Sequence, residues 1–203
     1  MIPGGRRCGG RGFVEWGGMA QPPTIHRMHV ALTDVDRGVY ETLDLRVARH
    51  PSETIKYMLL RVLGYALSWD EGIAFSKEGL HNPDEPPLSV VDPTGLLTGW
   101  IEIGSPSADR LHKASKAARV VEVYTSADLT LLRKEMRSRV VHKLSEIAVW
   151  RFEPAFIAAV EEHVGRETKI ELTRTEGSIY LSVAGQTLET QLHRHDLSAE
   201  PQG

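Results

Sequence analysis

Three acidic side chains and a lysine recur on successive predicted elements between residues 49 and 124. Glu53 opens a predicted helix, and Asp84, with its neighbour Glu85, precedes a predicted strand. Glu102 lies within the next strand, and Lys113 lies on the helix that follows. Carboxylates that converge from separate elements can hold Mg²⁺, a hard cation that prefers oxygen ligands and retains water. A lysine beside that ion can orient a water molecule or stabilise a reacting phosphate. The pattern therefore predicts metal-dependent phosphodiester chemistry, provided that these side chains meet in space.

Apolar periodicity predicts the elements that must position these groups. Alternating apolar and polar residues predict a β-hairpin over 25–49. An apolar stripe of helical period predicts a helix from about Glu53 to Leu67. Three short strands (73–76, 88–91 and 97–103), a helix (105–118) and a strand (120–124) follow. The order from residue 50 to residue 125 is therefore helix, three strands, helix, strand.

The remaining chain continues the mixture of helices and strands. A helix (127–137), a strand (146–152), a helix (154–164) and a three-strand meander that ends near Leu192 are predicted. His193 and His195 follow the meander without companion ligands, so an exposed tail is favoured over a zinc site.

Length and composition indicate a single globular domain. The chain has 203 residues, of which 41% are hydrophobic and 25% charged, which is ordinary for a globular protein. No apolar run approaches the roughly 20 residues of a membrane helix, so no membrane contact is expected. Cys8 is the one cysteine, which excludes an internal disulfide and favours a reducing, cytoplasmic compartment. The absence of a P-loop, a dinucleotide fingerprint and a GxSxG elbow argues against ATP use and serine hydrolysis.

The two ends differ in composition from the rest of the chain. Residues 1–18 contain seven glycines and three arginines and lack the continuous apolar run of a signal peptide. We interpret them as a disordered extension. Residues 19–196 are predicted to form one domain, and residues 197–203 a disordered tail.

Positive charge is concentrated in the segment from residue 110 to residue 143, although the net charge of the chain is -3. A basic stretch on an acidic protein can face the phosphates of a nucleic acid. The alternative is a solvated face of two helices. The nine cations are Arg110, Lys113, Lys116, Arg119, Arg133, Lys134, Arg137, Arg139 and Lys143.

The element order and the positions of the acids resemble the core of the PD-(D/E)XK nuclease superfamily, and Pro83-Asp84 matches the Pro-Asp pair of its name. More specifically, the chain resembles the YaeQ family of bacterial proteins over roughly residues 19–192. The motifs that carry this resemblance are Ala-Arg-His-Pro-Ser-Glu-Thr (48–54), Pro-Asp-Glu-Pro (83–86), Trp-Ile-Glu-Ile-Gly (100–104) and Arg-Leu-His-Lys-Ala (110–114). Asp-Val-Asp-Arg (34–37) and Ala-Val-Trp (148–150) add support.

The resemblance implies an α/β fold in which helices flank a mixed β-sheet. A restriction-endonuclease-like core over about 50–125 would carry additional N- and C-terminal strands. The resemblance also implies a Mg²⁺ site, with Asp84 as the acid at the head of the second strand, Glu102 as the acid of the third, and Glu53 as the helix glutamate.

One position departs from the superfamily pattern. The superfamily lysine belongs two residues after the third-strand acid, where this chain has Gly104. Lys113 on the next helix is the candidate to place its ammonium group in the same space, with Arg110 as a second catalytic cation. A site without such a cation would bind metal without efficient catalysis.

Each candidate acid also has a structural explanation. Glu102 could pair with Arg110 or Lys113, Asp84 could shape a turn, and Glu53 could interact with the helix dipole. Three functional hypotheses follow. The first is a Mg²⁺-dependent nucleic-acid phosphodiesterase, and the second is an inactive nuclease-fold module that binds nucleic acid or a protein partner. The third is a structural interaction protein.

Overall fold

The computed structural model describes residues 22–76, 82 and 84–198. Residues 1–21, which include the predicted N-terminal extension, residues 77–81, Pro83 and residues 199–203 lie outside the described part. The strands are β1 (Thr24–Asp34), β2 (Val39–Arg49), β3 (Ile73–Phe75), β4 (Leu88–Val91), β5 (Leu97–Ile103), β6 (Val120–Thr125), β7 (Ala148–Arg151), β8 (Glu167–Thr175), β9 (Ser178–Val183), β10 (Gln186–Gln191) and β11 (His193–His195). The α-helices are α1 (Ile55–Leu67), α2 (Ala108–Ala117), α3 (Leu129–Met136) and α4 (Pro154–Glu161).

The strands form two mixed sheets. The five-stranded sheet has the order β10-β9-β8-β1-β2, and the six-stranded sheet has the order β11-β7-β6-β5-β4-β3. In the first sheet, β1 is antiparallel to β2 and parallel to β8. In the second, β5, β6 and β7 are parallel, and β3, β4 and β11 pair antiparallel with their neighbours. The prediction of one sheet with additional strands is thus corrected, because β1 and β2 pair with β8, β9 and β10 in a sheet of their own, and of the additional strands described β11 alone extends the central sheet.

Helices occupy two layers. Helices α1 and α4 share one core cluster with both sheets, whereas α2 and α3 pack with the opposite face of the six-stranded sheet. Side chains alternate along a strand, so Ile101 and Ile103 face α1, whereas Trp100 and Glu102 face α2. Within the described part of the chain, none of the helices combines the length and the apolar character that a membrane crossing requires.

Helix α1 lies close to the six-stranded sheet. Its N-cap is Thr54, whose side chain accepts a hydrogen bond from the Tyr57 backbone N at 3.1 Å. At Gly64 an added Cβ would lie 3.2 Å from Tyr124 Cδ2 and 3.3 Å from Ile103 Cδ1. Glycine costs about 0.5–1 kcal/mol relative to alanine inside a helix. The close packing that it permits offsets this cost.

The turn between β1 and β2 connects three parts of the molecule. The Arg37 guanidinium donates hydrogen bonds to the carbonyl oxygens of Leu67 and Trp69, both at 2.7 Å. These carbonyls belong to the end of α1, where helix carbonyls lack intrahelical partners. On the other side of the turn, the Asp36 carboxylate accepts from the backbone N–H groups of Glu176 at 2.6 Å and Gly177 at 3.0 Å. The turn therefore joins the β8–β9 turn to the end of α1.

Three boundaries differ from those predicted. Glu53 precedes the N-cap of α1 and lies in a turn in which its backbone N donates to the His50 carbonyl at 2.9 Å. Residues 193–195, predicted as an exposed tail, form β11 and pair with β7. Leu197 is buried against α3 and its neighbours, so packing continues past the predicted start of the tail. These short terminal segments gain their structure from tertiary contacts, which local patterning does not reveal.

We expect Asp36→Asn to remove an acid-sensitive part of the stability. Hydrogen bonds from Gly177 and Glu176 lower the pKa of Asp36 below its ordinary value of 3.8. An acid with a lowered folded-state pKa stabilises the fold above its unfolded-state pKa, and this contribution is lost as the pH falls through the folded-state pKa. Wild type should therefore have the higher Tm near neutral pH, and the difference should narrow below pH 3.8. Thermal unfolding across a pH series measures this.

The matched control for this change is Asp70→Asn, an exposed acid outside the turn. Its Tm should follow that of wild type at every pH. A constant difference in Tm between wild type and Asp36→Asn at all pH values would contradict the role assigned to the Asp36 charge.

Candidate functional site

The third-strand acid Glu102 is buried against α2. It is 2% exposed, and its Oε1 accepts hydrogen bonds from Trp100 Nε1 at 2.5 Å and Arg110 Nε at 2.6 Å. The Arg110 guanidinium also lies 5.9 Å from the centre of the Trp100 ring. Burial of a charge requires such partners. Of the two cations considered as structural partners, Arg110 is the one that pairs with Glu102.

Helix α2 connects Glu102 to the segment that precedes β4. Ser107 caps the helix by accepting from the Arg110 backbone N at 3.3 Å. The Arg110 guanidinium donates to the Glu85 carbonyl oxygen at 2.7 Å. One turn further along, the Lys113 ammonium forms an ion pair with the exposed carboxylate of Asp84. The structure therefore places Asp84, Glu102, Arg110 and Lys113 in one network, which we call the α2 ionic network.

The two acids of this network have opposite electrostatic environments. Burial raises the pKa of Glu102 above its ordinary value, against the opposing hydrogen bonds and charge of Arg110 and the hydrogen bond of Trp100. The hydrogen bond and positive charge of Lys113 lower the pKa of Asp84. Environments that separate the pKa values of two nearby acids are a recurrent property of catalytic sites.

The helix glutamate Glu53 belongs to a different ion pair. Arg61 donates to both of its carboxylate oxygens, from Nε at 2.8 Å and from Nη2 at 3.0 Å. The Glu53 side chain is 1% exposed and the Arg61 side chain is 5% exposed. The His50 backbone N adds a hydrogen bond at 3.2 Å. The Glu53 carboxylate is therefore fully engaged within the protein.

The three predicted acids do not form one cluster. Among residues 22–76, 82 and 84–198, no three histidine, cysteine, aspartate or glutamate side chains are grouped so that they could hold a metal ion. Asp84 and Glu102 remain as candidate ligands. Mg²⁺ is commonly held by one or two carboxylates together with water and substrate phosphates, and this donor set fits that requirement. Binding through Oε1 of Glu102 would require Arg110 to release that oxygen.

Sequence reasoning overlooked Tyr57 as a member of the site. Burial and then the negative charge of Glu102 raise the pKa of Tyr57 to about 12. A Cβ at Gly104 would lie 3.6 Å from Tyr57 Cε2, so this ring lies next to position 104, where the resemblance leads us to expect a lysine. Tyr57 and Arg61 are four residues apart and therefore lie on one face of α1, and this spacing could have revealed Tyr57.

Part of the basic stretch lies beside α2. Arg139 forms an ion pair with Asp109 at the start of that helix. His112 Nδ1 lies 3.1 Å from the Val140 carbonyl oxygen and 3.3 Å from the His142 backbone N. The segment from residue 137 to residue 143 therefore runs along the helix that carries Arg110 and Lys113.

The fold and the site define a mixed α/β protein in which two sheets enclose a buried helix and an ionic network joins β5 to α2. The chain belongs to the YaeQ family. The family model described as "YaeQ protein" matches residues 19–192. The predicted family is thereby confirmed.

Relatives match over nearly their whole length. "Uncharacterized protein YaeQ" of Salmonella typhi is 32% identical over 176 residues, which are 86% of this chain and 96% of the relative. The protein of the same name in Escherichia coli (strain K12) is 31% identical over 176 residues, with the same shares. The crystal structure of the YaeQ protein from Pseudomonas syringae has a TM-score of 0.79 at 30% identity and covers 86% of this chain and 97% of its own. The structure from Xanthomonas axonopodis pv. citri has a TM-score of 0.77 at 26% identity, covering 86% and 98%.

We expect Glu53→Gln to destabilise the fold, because it leaves the buried guanidinium of Arg61 without a counter-charge. Removing one partner of a buried ion pair typically costs about 3–5 kcal/mol. Urea unfolding measures the free energy of unfolding. Glu41→Gln, an exposed glutamate on β2, is the matched control and should be nearly neutral. A Glu53→Gln protein as stable as wild type would show that the pair has no structural importance and would return Glu53 to the candidate metal ligands.

Proposed function

We propose that this protein is a Mg²⁺-dependent nucleic-acid phosphodiesterase. The observation that carries the proposal is the α2 ionic network, in which Lys113 pairs with Asp84 and, one turn earlier on α2, Arg110 pairs with Glu102. Four of the five predicted site residues belong to this network, and they come from three separate segments of the chain. Two carboxylates and two cations provide both the ligands for a divalent metal and the groups that bind a phosphate.

The residues of the network would have distinct roles. Asp84 and Glu102 would hold the metal. When bound, Mg²⁺ polarises the scissile phosphate and lowers the pKa of an attacking water. A substrate phosphate offers Arg110 and Lys113 a new anionic partner, so that each can transfer its hydrogen bonds from a carboxylate to a phosphate oxygen. With a pKa of about 12, Tyr57 stays protonated and is available as a neutral hydrogen-bond donor.

The order of the elements around the network also supports the proposal. Helix α1 is followed by the antiparallel strands β3, β4 and β5, then by α2 and the parallel strand β6. This order resembles the helix–three-strand–helix–strand order of the PD-(D/E)XK nuclease core and supports the proposal. Asp84 precedes the second of these strands, and Glu102 lies in the third, at the positions where that superfamily carries its acids.

The basic segment beside α2 favours a nucleic acid as the substrate. Arg137, Arg139 and Lys143 lie in the segment that follows α3, and this segment contacts the exposed side of α2. Cations arranged along one surface bind the phosphate backbone and release its counterions. A strand bound along this segment would reach the α2 ionic network.

A second candidate function is a binding module with the same fold and no catalysis. The observation that favours it is the double engagement of Glu102 Oε1, which accepts from both Trp100 and Arg110. The glycine at position 104, where a lysine is expected, points in the same direction. In this case the carboxylates only hold the cations in place, and those cations bind a nucleic acid or an acidic protein.

Calorimetric titration of Mn²⁺ and Mg²⁺ into the protein tests the first proposal. We expect saturable binding in wild type that is weakened about tenfold or more by Glu102→Gln, because the amide removes an anionic ligand. Asp84→Asn should give the same loss at an exposed position where folding is not at risk. Metal-dependent cleavage of labelled DNA and RNA should be lost in both variants.

Glu171→Gln on β8 is the matched control, since this exposed glutamate lies on the other sheet. It should bind metal as wild type does. Normal metal binding by both Glu102→Gln and Asp84→Asn would exclude the proposed ligands. Metal-independent binding of nucleic acid without cleavage would favour the binding module.

The basic segment should contribute to nucleic-acid affinity. We expect the double variant Arg139→Ala and Lys143→Ala to bind single- or double-stranded probes more weakly. Each cation that contacts a phosphate contributes about one unit to the slope of log affinity against log salt concentration. The slope should therefore fall by about one to two units, measured by fluorescence anisotropy. The control is Arg27→Ala with Arg46→Ala, which removes the same charge from exposed positions of the five-stranded sheet. Equal losses in the two double variants would show that only net charge matters.

A further inference from the structure

A cavity of about 350 Å³ lies on the opposite face of the six-stranded sheet from the α2 ionic network. Ile101 lines it, whereas the neighbouring Glu102 points to α2, because side chains alternate along β5. Its other walls come from the end of α1, the first half of β6, the β1–β2 turn and β8. Two motifs that the proposed function does not use, 34–37 and 148–150, each contribute a side chain, namely Arg37 and Trp150. This volume is in the range of small-molecule sites.

Three arginines face this cavity, and they differ in how far they are already engaged. Arg37 is committed to the carbonyl oxygens at the end of α1. Arg174 lies with its guanidinium 5.0 Å from the centre of the Trp150 ring. Arg119 is exposed and has no hydrogen-bond or ion-pair partner within the described part of the chain. An unpaired guanidinium at a cavity is a binding group for a carboxylate or a phosphate.

The guanidinium of Arg174 is fixed at the cavity wall by two carboxylates. Its Nε lies 3.3 Å from Asp36 Oδ2, and Nη1 lies 3.8 Å from Asp34 Oδ2. The side chain is largely buried and lines the cavity. Arg174 therefore presents a positive charge in a fixed position, which can attract the acidic group of a ligand.

The opposite wall of the cavity holds a fixed carboxylate. Glu122 accepts from Ser68 Oγ at 2.5 Å and from Trp150 Nε1 at 3.1 Å. Ser68 Oγ also lies 3.0 Å from Tyr124 Oη and can accept a hydrogen bond from that hydroxyl, so the Ser68 side chain is held in place from both sides. A carboxylate oxygen has more than one lone pair, and Glu122 can therefore accept a further hydrogen bond from a hydroxyl or an amine. The apolar part of the cavity wall consists of Leu67, Val90, Ile101 and Val120.

We propose that this cavity binds a small organic anion. The acidic group of the ligand, a carboxylate or a phosphate, pairs with Arg119 and Arg174. Its apolar body packs on the walls from α1, β4, β5 and β6, and a hydroxyl or amine donates to Glu122. The site is separate from the α2 ionic network, so its occupancy does not depend on phosphodiesterase activity.

Titration calorimetry with the full chain tests this proposal. The probes are adenosine 5′-monophosphate and 4-hydroxyphenylacetate, which carry a phosphate or a carboxylate, an aromatic ring and a donor group. Adenosine and 4-hydroxyphenylacetamide are the uncharged controls. We expect saturable binding of at least one anion and none of its uncharged control. The probe that binds identifies the preferred acidic group.

Variants locate the binding site. Arg119→Ala should weaken binding about tenfold, the loss typical of one charge-assisted hydrogen bond. Val120→Trp, at an exposed position of the cavity wall, should block entry. Arg46→Ala removes an exposed arginine from the other sheet and should leave binding unchanged. Glu102→Gln and Lys113→Ala should also leave it unchanged.

The proposal is overturned by any of three results. The first is the absence of saturable binding of both anions, and the second is equal affinity in wild type, Arg119→Ala and Val120→Trp. The third is binding that is lost in Lys113→Ala and retained in Arg119→Ala, which would place the anion at the α2 ionic network. Failure of metal binding in the earlier experiment would leave these results unaffected, so the two proposals fail independently.

Discussion

Burial of α1 between the two sheets is the constraint on which the rest of the structure depends. From Met58 to Leu67 nearly every side chain of this helix is buried, and the same cluster includes residues of both sheets. Full burial of one large apolar side chain contributes about 1.5–3 kcal/mol, so this helix accounts for a large share of the apolar stabilisation. From Met58 onward the helix therefore has no solvent-facing side for a charged residue. Arg61 is tolerated because Glu53, the Ala48 carbonyl oxygen and the face of the Phe75 ring surround its guanidinium.

The same layering explains the charges of the α2 ionic network. With α1 on one face of β5 and α2 on the other, Glu102 has no access to bulk water and must find partners within the protein. Arg110 supplies the counter-charge for Glu102. Lys113 supplies one for Asp84, which precedes β4. The result is a set of cations held in position by carboxylates before any ligand arrives. Such preorganisation would lower the cost of binding the phosphate that we propose as a ligand, since the side chains are already paired.

Local patterning predicted the elements far better than their assembly. The hairpin, α1 and the meander were recognisable because each has its own apolar period. The separate five-stranded sheet was not recognisable, because the sequence of neither β1 nor β8 indicates that the two strands pair in parallel. Burial of Glu102 was predictable from its apolar neighbours Ile101 and Ile103, but the choice of Arg110 as partner depends on where α2 docks. The pairing of Glu53 with Arg61 was missed for a related reason, since the guanidinium is buried only once both sheets are in place.

The contact between β1 and β8 determines when the five-stranded sheet can form during synthesis. The hydrogen bond between His26 and the Gly165 carbonyl oxygen spans 139 residues. The ribosome therefore delivers the hairpin of β1 and β2 well over one hundred residues before β8, the strand that pairs with β1. In the interval one edge of β1 presents unpaired backbone groups, and such edges readily pair with other chains. A nascent chain of this protein thus has an exposed strand edge through which it can aggregate until its own β8–β10 meander emerges.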